Sequence, residues 1–301
     1  MPENNLQDDF RTGFVSLVGK PNVGKSTLLN ALLGQKVSIV SRKPQTTRNR
    51  ILGIHNEADC QILFLDTPGL HQGEKALNRF MLEQALSACD NVDLILFLVE
   101  PGDRVEALTE RFLEALSGKR VKTLLVINKI DLFPREKLLP VMQKYNEVFG
   151  FTEIIPVSAL KGEGLEELLA ALRRRLPKGP PLYPPDMISD LPERFFAAEI
   201  IREQILKLTH KEIPYGTAVY IETFNEKDDI VEIAAVIVVE RETHKKIVLG
   251  HKGKMIRMIG ENSRRGLEEF LGTRVYLKTF VKVVKNWTRS PGKMKEFGYH
   301  D

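Results

Sequence analysis

The sequence of 301 residues has little of what marks a secreted or membrane-embedded protein. Its only cysteines, Cys60 and Cys89, are too few for a disulfide framework or a zinc site. Its apolar runs, such as 94–99 and 234–239, fall far short of the roughly 20 residues that span a bilayer. The polar, acidic N-terminus has neither the basic start nor the apolar segment of a secretory signal. We therefore expect a cytoplasmic protein.

The net charge of +4 is too small over this length to identify a binding partner, so the distribution of charge is more informative. The apolar content of 43% is ordinary for a globular protein. A chain of this length can form two domains that each bury a core.

A phosphate-binding motif stands near the start of the chain. The segment Gly19–Ser26 fits the spacing G-x-x-x-x-G-K-[ST], between an apolar strand pattern at 14–18 and a helix pattern at 27–33. Its glycines allow backbone N–H groups to surround an anion, the lysine can bridge terminal phosphates, and the serine can reach magnesium. A chance glycine turn is the alternative. The candidate phosphate-binding residues are Gly19, Asn22, Val23, Gly24, Lys25, Ser26 and Thr27.

Two further motifs each follow a predicted strand. Asp66 to Gly69 reads D-T-P-G after the apolar run 61–65, and Asp66 is placed to hold magnesium through water. A simple D-x-P-G turn is the alternative. Asn128 to Asp131 reads N-K-I-D after the apolar run 121–127. The Asp131 carboxylate can accept paired hydrogen bonds from guanine, which adenine cannot donate.

The remaining contacts of the base site are predicted around the same carboxylate. Asn128 is expected to tie this loop to the phosphate loop, and the stem of Lys129 can lie against the base. After the strand pattern 153–157, the backbone of Ser158, Ala159 and Leu160 can contact the guanine carbonyl oxygen, although this motif alone is weak.

Alternating strand and helix patterns predict an α/β P-loop GTPase domain at 13–176, a mostly parallel sheet with helices on both faces. A flexible tail at 1–12 precedes it. Five prolines among residues 177–185 predict a semi-rigid linker, placed at 177–191. The patterns at 192–301 run helix, strand, strand, helix, helix, strand, followed by a basic tail.

That second order of elements, with G-H-K-G at 250–253, resembles an α+β KH domain of type II, whose loop clamps about four single-stranded nucleotides. A helix-linking turn is the alternative. Residues 245–295 carry 14 basic and 3 acidic side chains, a net +11, which favours a nucleic-acid phosphate backbone. Trp287 can stack on a base or lie in the core. The candidate RNA-binding residues are Gly250, His251, Lys252, Gly253, Lys254, Ile256 and Arg257.

The four nucleotide motifs resemble the translation-factor class of GTPases, and their combination with a KH domain resembles the Era family of bacterial ribosome-assembly GTPases. The resemblance implies GTP hydrolysis with Mg²⁺ held by Ser26, Thr47 and Asp66, and Lys25 stabilising phosphate charge. Leu70 stands where many small GTPases carry a water-orienting glutamine. In some related GTPases the asparagine at the position of Asn22 binds potassium in place of an arginine finger. Alternatively, Asn22 only satisfies the loop backbone.

The resemblance also implies binding to the 3′ end of small-subunit ribosomal RNA, a role in small-subunit maturation, and a peripheral inner-membrane fraction. We expect a monomer. A GTPase for tRNA modification with a C-terminal docking module is an alternative, but it needs a reactive residue or cofactor site that the sequence does not show. A structural RNA-binding protein with a vestigial nucleotide site is another, and the complete motifs argue against it.

Overall fold

A computed structural model describes residues 9–41, 43–70, 76–119 and 121–299. They divide into two compact units. Among the described residues, the first unit takes 9–38, 47–70 and 80–190, and the second takes the rest. No helix in the described parts of the chain is both long and apolar enough to cross a bilayer.

The first unit is built on a six-stranded sheet of order β2-β3-β1-β4-β5-β6. Every neighbouring pair is parallel except β2 and β3, which are antiparallel. The central strands are nearly continuous apolar runs because helices cover both of their faces. The strands are β1 Arg11–Gly19, β2 Ile51–Asn56, β3 Cys60–Asp66, β4 Leu94–Val99, β5 Lys122–Ile127 and β6 Glu153–Pro156.

Five helices flank this sheet and form two cores, one on each face. Leu28 and Leu172, from the first and last helices, belong to one core, and Phe112 and Tyr145 belong to the other. This arrangement confirms the predicted α/β fold class. The helices are α1 Lys25–Leu33, α2 Ala76–Ser87, α3 Ala107–Ser117, α4 Leu138–Val148 and α5 Leu165–Arg173.

Two elements of this unit were not predicted. β2 is an edge strand whose apolar part is short, and it follows a polar stretch. α4 has Pro140 at its third residue, a position where proline is tolerated because the first-turn N–H groups have no partner within the helix.

The proline-rich segment predicted as a linker is hydrogen-bonded to the first unit along much of its length. The Gln61 side chain accepts from the backbone N–H groups of Leu182 and Tyr183 at 2.7 and 3.0 Å and donates to the carbonyl of Tyr183. Further along, Ile54 N–H donates to the Ile188 carbonyl at 2.8 Å. The compact unit accordingly extends to residue 190.

The second unit has the order α, β, β, α, α, β, as predicted for a KH domain. Its sheet has the order β7-β8-β9, in which β7 and β8 are antiparallel and β8 and β9 are parallel. Residues of the first three helices share one apolar core with one face of the sheet. The elements are α6 Glu193–Leu208, β7 Thr217–Lys227, β8 Ile230–Val239, α7 Glu242–Leu249, α8 Lys254–Leu271 and β9 Arg274–Val283.

The basic C-terminal tail folds onto the second unit and ends in a short helix, α9 Pro291–Glu296. Trp287 is fully buried, its indole N–H donates to the Gly216 carbonyl at 3.0 Å, and its ring stacks on Tyr299. Phe297 stacks on Tyr220 of β7. The idea that Trp287 stacks on a base is therefore wrong, because its ring is part of a core.

The second unit also includes the segment Ile39–Thr46, of which Arg42 lies outside the described residues. The backbone N–H of Val40 donates to the Glu203 carboxylate of α6 at 3.0 Å, and the Arg202 guanidinium donates to the Thr46 carbonyl. The Lys43 ammonium donates to two carbonyls at the end of α6. The segment is thus anchored to α6.

Candidate nucleotide and nucleic-acid sites

The phosphate loop lies where β1 ends and α1 begins, as predicted. Gly24 precedes the helix with φ 96°, a left-handed conformation that glycine adopts without strain. A Cβ atom at this position would lie 2.3 Å from Asn128 Nδ2, so only glycine fits. Asn22 is also left-handed, with φ 66°, and its side chain is exposed. Val23 is buried and Thr27 is partly buried.

Lys25 lies at the start of α1 with its ammonium folded into the loop. Nζ donates to the carbonyl oxygens of Gly19 and Lys20, each at 3.0 Å. Burial lowers the pKa of Lys25 to about 8, and the charge of Asp66 opposes that shift. A buried cation at a helix N-terminus is suited to bind phosphate.

Three hydroxyl groups converge on the Asp66 carboxylate at the C-terminal end of β3. Ser26 Oγ and Ser38 Oγ donate to Asp66 Oδ2 at 2.7 and 2.8 Å, and Thr47 Oγ1 lies 3.4 Å from the same oxygen. Ser26 and Thr47 are themselves 2.8 Å apart. Thr46, by contrast, donates to the Lys43 carbonyl. The structure therefore brings Thr47 rather than Thr46 to this cluster.

The donor set of this cluster fits a hard divalent cation. Asp66 is fully buried, and its Oδ1 has no hydrogen-bond partner among the described residues. Burial raises the pKa of Asp66, whereas Lys25 and the hydroxyl groups act in the opposite direction. A carboxylate with a spare buried oxygen beside two hydroxyls is a typical arrangement for Mg²⁺. Ser38 was missed by sequence reasoning because it belongs to no motif.

The loop that the sequence predicts to recognise the base is held by Asn128. Its Nδ2 donates to the Val23 carbonyl at 2.8 Å, and its Oδ1 accepts from the backbone N–H groups of Lys129 and Ala159 at 2.8 and 3.0 Å. One buried side chain thus joins the phosphate loop, its own loop and the loop after β6. The predicted link between the first two loops is present.

Asp131 is oriented by a contact that the sequence did not predict. Ser158, which is fully buried, donates its hydroxyl to Asp131 Oδ1 at 2.6 Å. Lys129 is left-handed, with φ 64°, and its ammonium pairs with Glu100 at 2.5 Å. Leu160 of the same loop is 78% exposed. The carboxylate that the sequence predicts as the acceptor for guanine is therefore fixed in direction by a residue 27 positions away.

Gly69 and Leu70 pack against the backbone of the phosphate loop. A Cβ atom at Gly69 would lie 2.8 Å from the backbone of Pro21, and the N–H of Leu70 donates to the Gly19 carbonyl at 3.1 Å. The Leu70 side chain is buried in the core. It supplies no polar group at the position of a water-orienting glutamine.

The G-x-x-G loop joins α7 to α8, as predicted. Gly250 has φ 70° and ψ 174°, and a Cβ atom there would lie 2.6 Å from Met255 Cβ. Lys252 and Gly253 are both left-handed. His251, Lys252, Lys254 and Arg257 are exposed, and Gly253 and Ile256 are partly exposed. The loop thus presents cationic side chains around a backbone that a ligand can approach closely.

Comparisons with known proteins agree with both sites. A family model described as 50S ribosome-binding GTPase matches residues 14–129, and a KH domain model matches 212–288. GTPase Era of Geotalea daltonii is 50% identical over 97% of this chain and 99% of its own length, and GTPase Era of Lactobacillus helveticus is 45% identical over 97% of each chain. The chain belongs to the Era family of GTPases.

Solved Era structures have the same fold over nearly the whole chain. A variant of Aquifex aeolicus Era bound to GDP and AlF4⁻ has a TM-score of 0.93 at 42% identity, covering 97% of this chain and 100% of that one. Era in complex with MgGDPNP and nucleotides 1506–1542 of 16S ribosomal RNA matches with the same TM-score, identity and coverage. As a member of the Era family, the chain is a GTPase with a KH domain.

Proposed function

We propose that this protein is a GTP-hydrolysing, RNA-binding switch for small ribosomal subunit assembly, whose KH domain binds the 3′ end of small-subunit ribosomal RNA. The observation that carries the proposal is the presence, in one chain, of the Ser26–Thr47–Asp66 cluster and the exposed basic loop 250–253. The 16S RNA in the Era complex supports the small subunit rather than the large one as the target.

Hydrolysis in this site depends mainly on positioning and on stabilisation of charge. Lys25 holds the phosphate charge, and Asn128 and Asp131 fix the guanine so that the γ-phosphate is aligned. Mg²⁺, held by Ser26, Thr47 and through water by Asp66, would neutralise phosphate charge. Because Leu70 is apolar and buried, the chain must orient the attacking water without a side chain at that position.

Thr47 is the residue through which nucleotide state can reach the second unit. It is adjacent to the segment Ile39–Thr46, which is hydrogen-bonded to α6. Loss of the γ-phosphate would release Thr47, and the conformation of the adjacent segment Ile39–Thr46 would change with it. The short covalent path supports a switch that acts on the KH domain.

Several finer assignments rest on the family resemblance. We infer that Asn22 supplies a potassium ligand, that the protein is a monomer, and that it is cytoplasmic with a peripheral inner-membrane fraction. We also retain 13–176 and 192–301 as the two functional domains. Hydrolysis compared in potassium and sodium buffers, for the native protein and for Asn22→Ala, tests the potassium site.

Paired variants test the proposal. Lys25→Ala should abolish GTP hydrolysis, and His251→Asp with Lys252→Asp should strongly weaken binding to RNA that carries the 16S 3′ end. A control with the same charge change, Gln143→Asp with Lys144→Asp, places the new charges at exposed positions of the first unit and should bind RNA normally. Full RNA affinity in the loop variant would refute the KH assignment.

The base site has its own test. Asp131→Asn should shift preference from GTP toward xanthosine triphosphate, because an amide can donate to the xanthine oxygen where the carboxylate accepts from guanine. Competition between the two nucleotides for the variant measures the shift. An unchanged preference would mean that Asp131 does not contact the base.

A further inference from the structure

The outer face of β9 carries an alternating row of cations and aromatic rings. β9 packs its other side against the core shared with α8, so every second side chain points away from the helices. These outward residues are all exposed, and Tyr276 and Phe280 are 49% and 52% exposed despite their apolar rings. The row consists of Arg274, Tyr276, Lys278, Phe280 and Lys282.

We propose that this row is a second RNA-binding surface, which stacks two bases of a single strand on Tyr276 and Phe280 while the cations hold its phosphates. It lies on the face of the sheet opposite to the helices that carry the G-x-x-G loop. The ligand class rests on the proposed RNA-binding function, but the residues are different.

Charge complementarity favours single-stranded RNA as the partner of this row. Each nucleotide of a single strand offers one flat π face and one negative charge. The row offers a ring or a cation at every second residue, about 7 Å apart, so that its two rings are about 13 Å apart. Glu232 of β8, the register partner of Tyr276, is already paired with Lys227 at 2.7 Å. Protein interfaces, by contrast, are depleted in lysine at their centres.

The geometry leaves room for a strand to lie along the row. Between the two rings, Lys278 is next to Ala234, which in turn pairs with Thr223, so the sheet surface there is made of small side chains. The Lys278 ammonium already lies 5.2 Å from the centre of the Tyr276 ring. A cation held beside an exposed ring is positioned to meet the phosphate of a base that stacks on that ring.

The C-terminal tail covers another part of the same sheet face and leaves the row on β9 exposed. The aromatic C-terminal tail covers the sheet near β7, where Phe297 stacks on Tyr220, and Val236 and Val238 of β8 are buried. The cover does not bury Phe280, the neighbour of Val236 in the next strand. Tail residues Arg289, Lys293 and Lys295 add positive charge to this unit.

Tryptophan fluorescence tests the stacking directly. The single native tryptophan, Trp287, is buried and gives a constant background. In the full-length variants Tyr276→Trp and Phe280→Trp, titration with a 20-nucleotide single-stranded RNA should quench the new signal. The control Leu139→Trp, at a 72% exposed position of α4, should show no change. Equal quenching in the control would overturn the proposal.

Affinity measurements separate this surface from the G-x-x-G loop. Tyr276→Ala with Phe280→Ala should weaken the 20-nucleotide RNA by at least about fivefold per ring, and leave a 4-nucleotide RNA, which fits the loop alone, unaffected. Tyr276→Leu with Phe280→Leu should not restore affinity. Leucine supplies apolar surface area but no aromatic ring on which a base can stack. Full restoration, or no loss with alanine, overturns the proposal.

The loop variant distinguishes failure of this inference from failure of the proposed function. In the His251→Asp, Lys252→Asp background, RNA should still quench Tyr276→Trp, at higher concentration. If RNA binds the native protein but never quenches this variant, only the second surface is refuted. If the native protein binds no RNA, both fail. Quenching by anionic vesicles or by a ribosomal protein, without quenching by RNA, would overturn the assigned partner.

Discussion

Asn128 Nδ2 donates to the backbone carbonyl of Val23 at 2.8 Å across 105 residues of sequence. Its Oδ1 accepts from the backbone N–H groups of Lys129 and Ala159. These contacts join the phosphate loop to the loop of Asp131 and to the loop after β6. We therefore expect Asn128 to hold the phosphate-binding and base-binding groups in one fixed relation, which would align a bound triphosphate.

Asn128→Ala should weaken GDP and GTP binding. It leaves the buried Val23 carbonyl and two N–H groups without their partner, at a cost of about 1–3 kcal/mol for each buried group left unsatisfied. We expect at least a tenfold loss of affinity by calorimetry, and a lower midpoint of thermal unfolding. Gln143→Ala, at an exposed position of α4, is the control and should change neither. Native affinity in Asn128→Ala would show that the loops hold their relation without it.

Nucleotide affinity should fall as pH rises through about 8. Burial lowers the pKa of Lys25 to about 8 in the folded protein, from 10.5 for the ordinary side chain. Phosphate binds the protonated form, so above pH 8 the free protein must first take up a proton, and affinity declines by up to about tenfold per pH unit. Titrations of GDP binding from pH 7 to 9.5 measure the slope.

The contribution of Lys25 to the stability of the folded protein has the opposite dependence on pH. Between about pH 8 and 10.5 the unfolded chain holds a proton at Lys25 that the folded chain lacks, so this group makes the folded protein more stable as pH rises. In Lys25→Met both effects are absent. Ionisation of the nucleotide's own base is the same with the variant as with the native protein, so the variant serves as the control. An equal pH slope of affinity in Lys25→Met would show that Lys25 does not titrate in this range.

Gly250→Ala should disrupt the RNA-binding loop far more than Gly253→Ala. Gly250 has a φ/ψ combination that is essentially restricted to glycine, and a Cβ atom there would overlap Met255. Gly253 is left-handed, but a Cβ atom there has open space, so alanine costs about 1 kcal/mol. RNA affinity should therefore drop at least tenfold for the first variant and about fivefold or less for the second. Equal losses would contradict this explanation.

Trp287→Ala should destabilise the second unit by about 3–5 kcal/mol, the usual cost of removing a large buried aromatic side chain. Trp287→Phe keeps a ring but loses the hydrogen bond to the Gly216 carbonyl, and should cost less. Urea unfolding followed by circular dichroism gives both values. An unchanged midpoint for Trp287→Ala would mean that the tail is not part of the cooperative unit.

Much of the site was predictable because its motifs are local. The phosphate loop, Asp66, Asn128–Asp131 and the G-x-x-G loop are each a short stretch whose chemistry depends on neighbouring residues. Strands that are apolar throughout are recognised equally well from sequence. β2 was not, because an edge strand needs less apolar surface, and α4 was hidden by a proline that its first turn tolerates.

By itself, the sequence determined most of the order of elements, the motifs typical of guanine binding and the alternation of cations and rings along β9, since each follows from residue types at short spacing. The tertiary structure decided which distant groups meet. It placed Ser38 on Asp66, Ser158 on Asp131, and Trp287 in a core rather than on a surface. These contacts depend on sheet register and helix packing, which bring together residues tens of positions apart and leave no local pattern in the sequence.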